Sequence, residues 1–468
     1  MPTTDFQTWL NMATTNLGVV LFALPYYFRH VGVTLVLTMI VLQYFWTKYC
    51  SYCLIETTKA MPVQMKEGTD PYLRLMQNHF GIFGARLLDI AYIVALYGAG
   101  LSYQISFGFS MAKMPWSFCK KLFGDYRFWT IIFLIVEIPL CLLRSLSSIS
   151  FASLGSVIVM VLCCIVIIIY GAINYGFTWS NEFLHGDSTF AIGKCFGLLS
   201  FGLAVNCLVP SSYVSMKNPK KISPIISLSI IFALGLYVAM GLLGLLTFNK
   251  VEKIDVFIML NIPPDSPFFY TSSAVLCAML VLITPIIVYP SSLTIDAWFT
   301  QGCKGTPKDA LLENEVLPTV EENTNNSAPV TVSGAEGGVA VENPVEASVA
   351  PVEAPVVDVA SATSDSAPKS TGPEPKERTG ILITDLPGVA ARVLPLLVMT
   401  VIGYVWPNFG NVVSITGASA TSLVNFIFPT LLHLKEFGKQ RRGLAVLDVV
   451  LTGFGIFAAV LGTYMSFF

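Results

Sequence analysis

Two stretches of the chain carry groups that could hold a small charged ligand without covalent chemistry. One reads Asn16-Leu-Gly18-Val19-Val20-Leu-Phe-Ala-Leu-Pro25, the other Ser200-Phe-Gly202-Leu-Ala-Val-Asn206-Cys-Leu-Val-Pro210. In each, a glycine precedes a proline by seven or eight residues within an apolar run. Proline removes a backbone donor and clashes with the preceding turn, while glycine tolerates unwound geometry. A helix interrupted there offers N–H groups and a positive half-helix end to a carboxylate, and carbonyls to a cation or an ammonium. Glu137 lies inside another apolar run and suggests a second chemistry. A carboxyl taken out of water favours its protonated form, the property a proton carrier needs.

The elements that must position these groups follow from composition. The 468 residues are 54% apolar and 12% charged, with mean hydropathy +0.69. An average soluble domain is about a quarter charged, so an ordinary water-soluble enzyme is excluded. Trp9–Phe28, Ile90–Ala112, Cys195–Met216, Ile222–Asn249, Ser266–Ile295 and Val449–Phe468 are each uncharged throughout. A further span lies within Ser145–Asn181. Val393–Leu434 is long enough for two spans divided at Trp406-Pro407-Asn408, and weaker spans lie at about 33–55 and 128–143. About 20 apolar residues cross a bilayer, so the expectation is an all-α membrane protein with eleven transmembrane helices. The Lys and Arg balance, 14 against eight with the long insert set aside, places the N-terminus in the cytoplasm.

Three regions are expected: a membrane body with helices 1–8 over 1–299, an acidic cytoplasmic insert over 300–385, and helices 9–11 over 386–468. Residues 300–380 carry 13 acidic and 5 basic side chains and no helical or strand period, and read as disordered. Nothing in the charge pattern suggests nucleic acid; the partners expected are membrane lipid and a small solute. No cofactor or metal is expected. Cys50 and Cys53 form a CxxC with no second pair and no histidine near them in the chain, which reads as helix packing. A disulfide between Cys119 and Cys195 is one open alternative, since both fall on the outer side of this topology. There is no phosphate-binding P-loop motif, so uphill movement would need an ion gradient.

The two glycine–proline breaks lie five helices apart. A block with an odd number of spans inverts when repeated, so helices 1–5 and 6–10 would form an inverted repeat with helix 11 extra, as in many secondary transporters.

At these residues the chain resembles the amino acid/auxin permease family. Asn16 through Pro25-Tyr-Tyr-Phe-Arg-His-Val-Gly32 is similar to the family's first-helix G-x-G-I-L-x-L-P-Y-x-x-x-x-x-G. Pro139-Leu-Cys-Leu-Leu-Arg144-Ser-Leu, Met216-Lys217-Asn218-Pro219-Lys220-Lys221, Leu260-Asn261-Ile262-Pro263, Pro407-Asn408-Phe409-Gly410 and Phe428-Pro429-Thr-Leu-Leu-His433-Leu resemble later family motifs in order. The resemblance covers nearly all of the membrane body and misses the insert.

The resemblance implies a LeuT-like 5+5 inverted repeat with broken helices 1 and 6, and secondary active transport of small or neutral amino acids driven by protons or sodium. The main chain at Gly18, Val19 and Val20 would hold the substrate carboxylate. Asn16, Ser200, Gly202 and Asn206 would serve its amino group or side chain. Tyr103 stands where the family often has a helix-3 tyrosine, and Phe22, Phe201 and Tyr97 could line an apolar pocket. Glu137 is the candidate for proton coupling. The chain departs from the family at Val20, where a second small residue is usual, and at Phe201-Gly-Leu-Ala204-Val, where a helix-6 glutamate is missing. Thr14 replaces the asparagine of the sodium-coupled branch, and Asn11 stands nearest the histidine of the proton-coupled branch. The competing readings are an amino acid sensor on a transporter frame, a facilitative uniporter, and a membrane enzyme. No cluster of His, Asp or Glu at one membrane face favours the enzyme. A plasma membrane and a lysosomal or vacuolar membrane both fit.

Overall fold

The computed structural model describes residues 3–61, 70–117, 119–142, 151–251, 254–301 and 386–467. The expected insert lies outside these residues, apart from its first two positions, as does Arg144. Among the described residues the chain is helical, with no strand; an isolated bridge joins Thr3 to Met216.

In chain order the helices are α1 (Asp5–Asn16), α2 (Leu24–Val31), α3 (Val33–Ala60), α4 (Pro71–Ala112), α5 (Lys120–Phe123), α6 (Tyr126–Cys141), α7 (Phe151–Tyr175) and α8 (Thr189–Gly202). They continue as α9 (Val209–Ser215), α10 (Ile222–Phe248), α11 (Pro267–Gln301), α12 (Leu386–Val405), α13 (Phe409–Thr416), α14 (Phe428–Phe437) and α15 (Arg442–Met465). Nine helical stretches among the described residues are long and apolar enough to cross a membrane. The other two expected spans are shorter pieces. Residues 9–28 are divided between α1, a 3₁₀ turn and α2, and α6 has 16 residues.

The ends of these helices follow local chemistry. Thr4 caps α1 in a capping box with Gln7. Asp70 caps α4 just before Pro71. Trp406-Pro407-Asn408 divides α12 from α13, with the Asn408 side chain accepting from the Asn411 N–H at 3.1 Å. Gly32 turns the chain from α2 into α3 at φ +91°, against the backbone of Gly186.

The packing is that of a lipid-facing protein. On α15, Val446, Val450, Phe454, Phe457 and Val460 are exposed, while Asp448, Thr452, Gly455 and Gly462 are buried. Elsewhere Glu137 and Arg392 are also buried. Apolar residues outside and polar ones inside are what a hydrocarbon solvent selects.

Candidate functional site

The two glycine–proline stretches are both interrupted. After α1, Leu17 and Gly18 are extended, Val19–Ala23 form a 3₁₀ turn, and Pro25 sits in the first turn of α2. After α8, Leu203 leaves helical geometry, Ala204–Leu208 form a 3₁₀ turn, and Pro210 sits in the first turn of α9. The prolines thus begin the second half-helices, where their missing N–H is not needed. The break falls at the residues just before the 3₁₀ turns.

Both interruptions border one cavity of about 570 Å³, within the range of small-molecule sites. Gly18 and Val20 line it from the first interruption, and Phe201, Gly202, Ala204 and Cys207 from the second. Tyr103 and Ala99 contribute from α4, and Ile283, Ile287 and Pro290 from α11. Thr421, Val424 and Asn425 contribute from the π-helical run joining α13 to α14. Toward one end the lining turns polar, with Asn11, Thr14 and Thr15 of α1 and Ser211, Ser212 and Ser215 of α9.

Much of the freed backbone has a partner. Tyr237 Oη donates to the Asn16 carbonyl at 2.6 Å, Asn425 Nδ2 to the Leu203 carbonyl at 3.0 Å, and Tyr92 Oη to the Cys207 carbonyl at 3.2 Å. Two polar groups beside the interruptions are different. Both atoms of the Asn16 carboxamide, and Asn425 Oδ1, are buried without a hydrogen-bond partner. A buried polar atom left unpaired costs about 1–3 kcal/mol; Asn425 borders the cavity, whereas Asn16, expected at the site from sequence, is fully buried and does not border it. The N–H groups that open the Val19–Ala23 turn also have no earlier turn to bond.

The residues expected from sequence separate into two groups. Gly18, Val20, Tyr103, Gly202 and Phe201 meet at the cavity. Ser200 and Asn206 are turned into helix contacts instead. Ser200 Oγ accepts from Gln43 Nε2 at 3.1 Å. Asn206 accepts from Ser51 Oγ at 2.6 Å and donates to the Asn425 carbonyl at 2.8 Å. Val19 is buried beside the lining residues, and Phe22 packs on Phe257 with ring centroids 5.5 Å apart. Glu137 is fully buried on α6 and does not border the cavity; its Oε2 lies 3.9 Å from Cys141 Sγ and its Oε1 has no partner. The sequence reading passed over Thr421 and Asn425, whose signal is a lone carboxamide after a run of small residues, Gly417-Ala-Ser-Ala-Thr421.

Asp70 was also passed over. Its carboxylate accepts from the Tyr72 N–H and from Ser211 Oγ, each at 3.1 Å, tying the start of α4 to a cavity-lining serine. Removal from water pushes this carboxyl above its usual range, partly opposed by those two donors.

Cys119 is exposed and Cys195 buried, and both are free thiols, so the alternative of a disulfide between them is not realised. No histidine lies near the CxxC in the chain, but folding brings His433 and Asp448 to Cys53.

Comparison with known proteins identifies the family. A family model described as "Transmembrane amino acid transporter protein" matches residues 1–468. The Arabidopsis thaliana amino acid transporter AVT1E is 25% identical over 62% of this chain, which spans 53% of that protein. Vacuolar amino acid transporter 7 of Saccharomyces cerevisiae is 25% identical over 73% of this chain and 67% of its own length. Amino acid transporter ANT1 of Arabidopsis thaliana is 22% identical over 99% of this chain and 92% of its own. Among solved structures, a Na⁺-coupled sialic acid symporter is similar at 11% identity and a TM-score of 0.40, covering 100% of this chain and 90% of that one.

Proposed function

The chain belongs to the transmembrane amino acid transporter family, and on that premise we propose that it is a secondary active transporter of small or neutral amino acids working by alternating access. The observation that carries the reading is that two interrupted helices, five spans apart, border the same cavity. In the arrangement we propose, eleven membrane helices comprise the nine long ones, the interrupted α1–α2 and the short α6. Helices 1–5 and 6–10 form a LeuT-like inverted repeat.

The substrate carboxylate would sit on the main-chain N–H groups of Gly18, Val19 and Val20, with Tyr103 Oη beside them. A Cβ on Gly18 would stand 3.4 Å from that hydroxyl. The ammonium would face the Asn425 carboxamide oxygen and the lip at Gly202, with Asn16 shaping the first interruption from behind. Ser200 and Asn206 would hold α8 and the 3₁₀ turn in place rather than touch substrate. The polar end of the cavity, between α1 and α9, would be its cytoplasmic mouth, with the N-terminus inside. The names of the yeast relatives support a vacuolar or lysosome-like membrane. Such a membrane encloses an acidic lumen, and Thr14, in place of the sodium-branch asparagine, also supports a proton as the driving ion.

Two measurements test the parts of this reading. Val20 narrows the cavity, so Val20→Ala should improve competition by branched or aromatic amino acids about tenfold relative to alanine, the scale of one or two methyl groups in an apolar pocket. An unchanged competition series removes Val20 from the site. Glu137 is our candidate proton carrier, and Glu137→Gln should leave substrate binding intact while abolishing acceleration by a pH gradient. Full gradient-driven uptake by that variant excludes Glu137. The class itself is tested by equilibrium binding of labelled amino acids to purified protein. Saturable binding displaced by neutral L-amino acids is expected, and no binding of any amino acid contradicts the proposal.

A further inference from the structure

We propose that Cys53, His433 and Asp448 form a binding site for a divalent transition-metal ion of the zinc class, tying α3 to α14 and α15. The donor atoms all lie within 4.8 Å of one another, and all three residues are buried. His433 Nδ1 is 2.6 Å from Asp448 Oδ2, and Cys53 Sγ is 3.8 Å from Asp448 Oδ1. His433 Nε2 has no partner. None of the three residues borders the amino acid cavity. The second cysteine of the motif is engaged elsewhere, as Cys50 Sγ donates to the Phe426 carbonyl at 3.7 Å.

Thiolate, imidazole and carboxylate are the donors that zinc takes, at bond lengths of roughly 2.0–2.3 Å. Tetrahedral bonds of that length separate the donors by roughly 3.3–3.8 Å. Asp448 stands between the other two, its Oδ1 3.8 Å from Cys53 Sγ and its Oδ2 2.6 Å from His433 Nδ1, so the nitrogen–oxygen pair would open by about 0.7 Å around an ion. A dication held by a thiolate, a carboxylate and a neutral imidazole makes a neutral set, which matters in a site closed to water. Tyr49 Oη donates to Asp448 Oδ1 at 2.8 Å and fixes the carboxylate, as outer partners of metal ligands do.

The test uses the full chain, purified without chelator and through a tag that contains no histidine. Metal analysis should find about one zinc-class ion per chain in the wild type and in Cys50→Ser, and at least fivefold less in Cys53→Ser and His433→Gln. Chelator-stripped wild type should take up Co²⁺ with the absorption band of a cobalt–thiolate bond, and Cys53→Ser should take it up without that band. This second readout holds if a variant folds poorly, since it can be made on wild type alone. Wild type that carries no transition metal and gives no thiolate band with Co²⁺ overturns the proposal and leaves a purely hydrogen-bonded His–Asp–Tyr network. Equal metal in wild type and Cys53→Ser overturns it as well. Neither result bears on amino acid transport, which the site does not touch.

Discussion

Gly202→Ala is expected to lower amino acid uptake by at least about a hundredfold while the protein remains folded. A Cβ at position 202 would stand 2.2 Å from Tyr237 Oη and 2.9 Å from its Cζ. Tyr237 is fully buried, and its hydroxyl is held on the Asn16 carbonyl at 2.6 Å. The ring must withdraw, and the carbonyl at the first interruption then loses its donor. An unpaired buried carbonyl costs about 1–3 kcal/mol and overpacking about as much again. Both costs fall where the two half-helices meet the cavity. Tyr237→Phe removes the same hydrogen bond without the collision and should cost about tenfold. On the Tyr237→Phe background, Gly202→Ala should do less further harm than on the wild type, because the two changes share one contact. Transport kinetics in reconstituted vesicles for the four proteins of the cycle decide the matter, and strictly additive losses would contradict the coupling.

Gly417→Ala is expected to prevent folding rather than impair transport. Its Cβ would lie 1.9 Å from the Gly197 carbonyl oxygen, and a Cβ on Gly197 would lie 2.2 Å from the Ser414 carbonyl oxygen. Here α8 meets the end of α13 and the π-helical run backbone to backbone, the close approach that small residues permit between membrane helices. Unlike a side chain, neither partner can rotate away. Behind this contact stands α15, where a Cβ on Gly462 would come 3.0 Å from Ala418 Cβ. A loss of at least about 3 kcal/mol is expected, at the upper end of overpacking costs. Size-exclusion profiles and thermal midpoints in detergent check it. Gly453→Ala is the control, since nothing lies within 4 Å of its added Cβ and it should behave as wild type.

The interruptions were legible because glycine and proline act locally. The spacing of Gly18 to Pro25 and of Gly202 to Pro210 marks both 3₁₀ turns, and Trp406-Pro407-Asn408 marks the end of α12. Which way each side chain points was not legible. Successive residues rotate by about 100° on a helix, so Ser200 and Gly202, two positions apart, face Gln43 and the cavity respectively. The π-helical turns between Gly417 and Ile427 shift that phase again and carry Thr421 and Asn425 to the cavity. Helices that are apolar all round, such as α10, give no stripe from which to read a buried face. The Cys53–His433–Asp448 group escaped for another reason. Cys53 is far from His433 and Asp448 in the chain, and only the packing of α3 against α14 joins them. The alternative of a Cys119–Cys195 disulfide is not realised, because a shared side of the membrane says nothing about whether two sulfurs can meet.

Uptake of labelled neutral L-amino acids into sealed vesicles containing only this protein tests the central claim most directly. With wild type, saturable uptake should exceed that of empty vesicles, quicken when a proton gradient is imposed, and vanish with Gly202→Ala. No uptake under any proton or sodium gradient, from protein that still binds the amino acid, would contradict transport and leave a sensor built on a transporter frame.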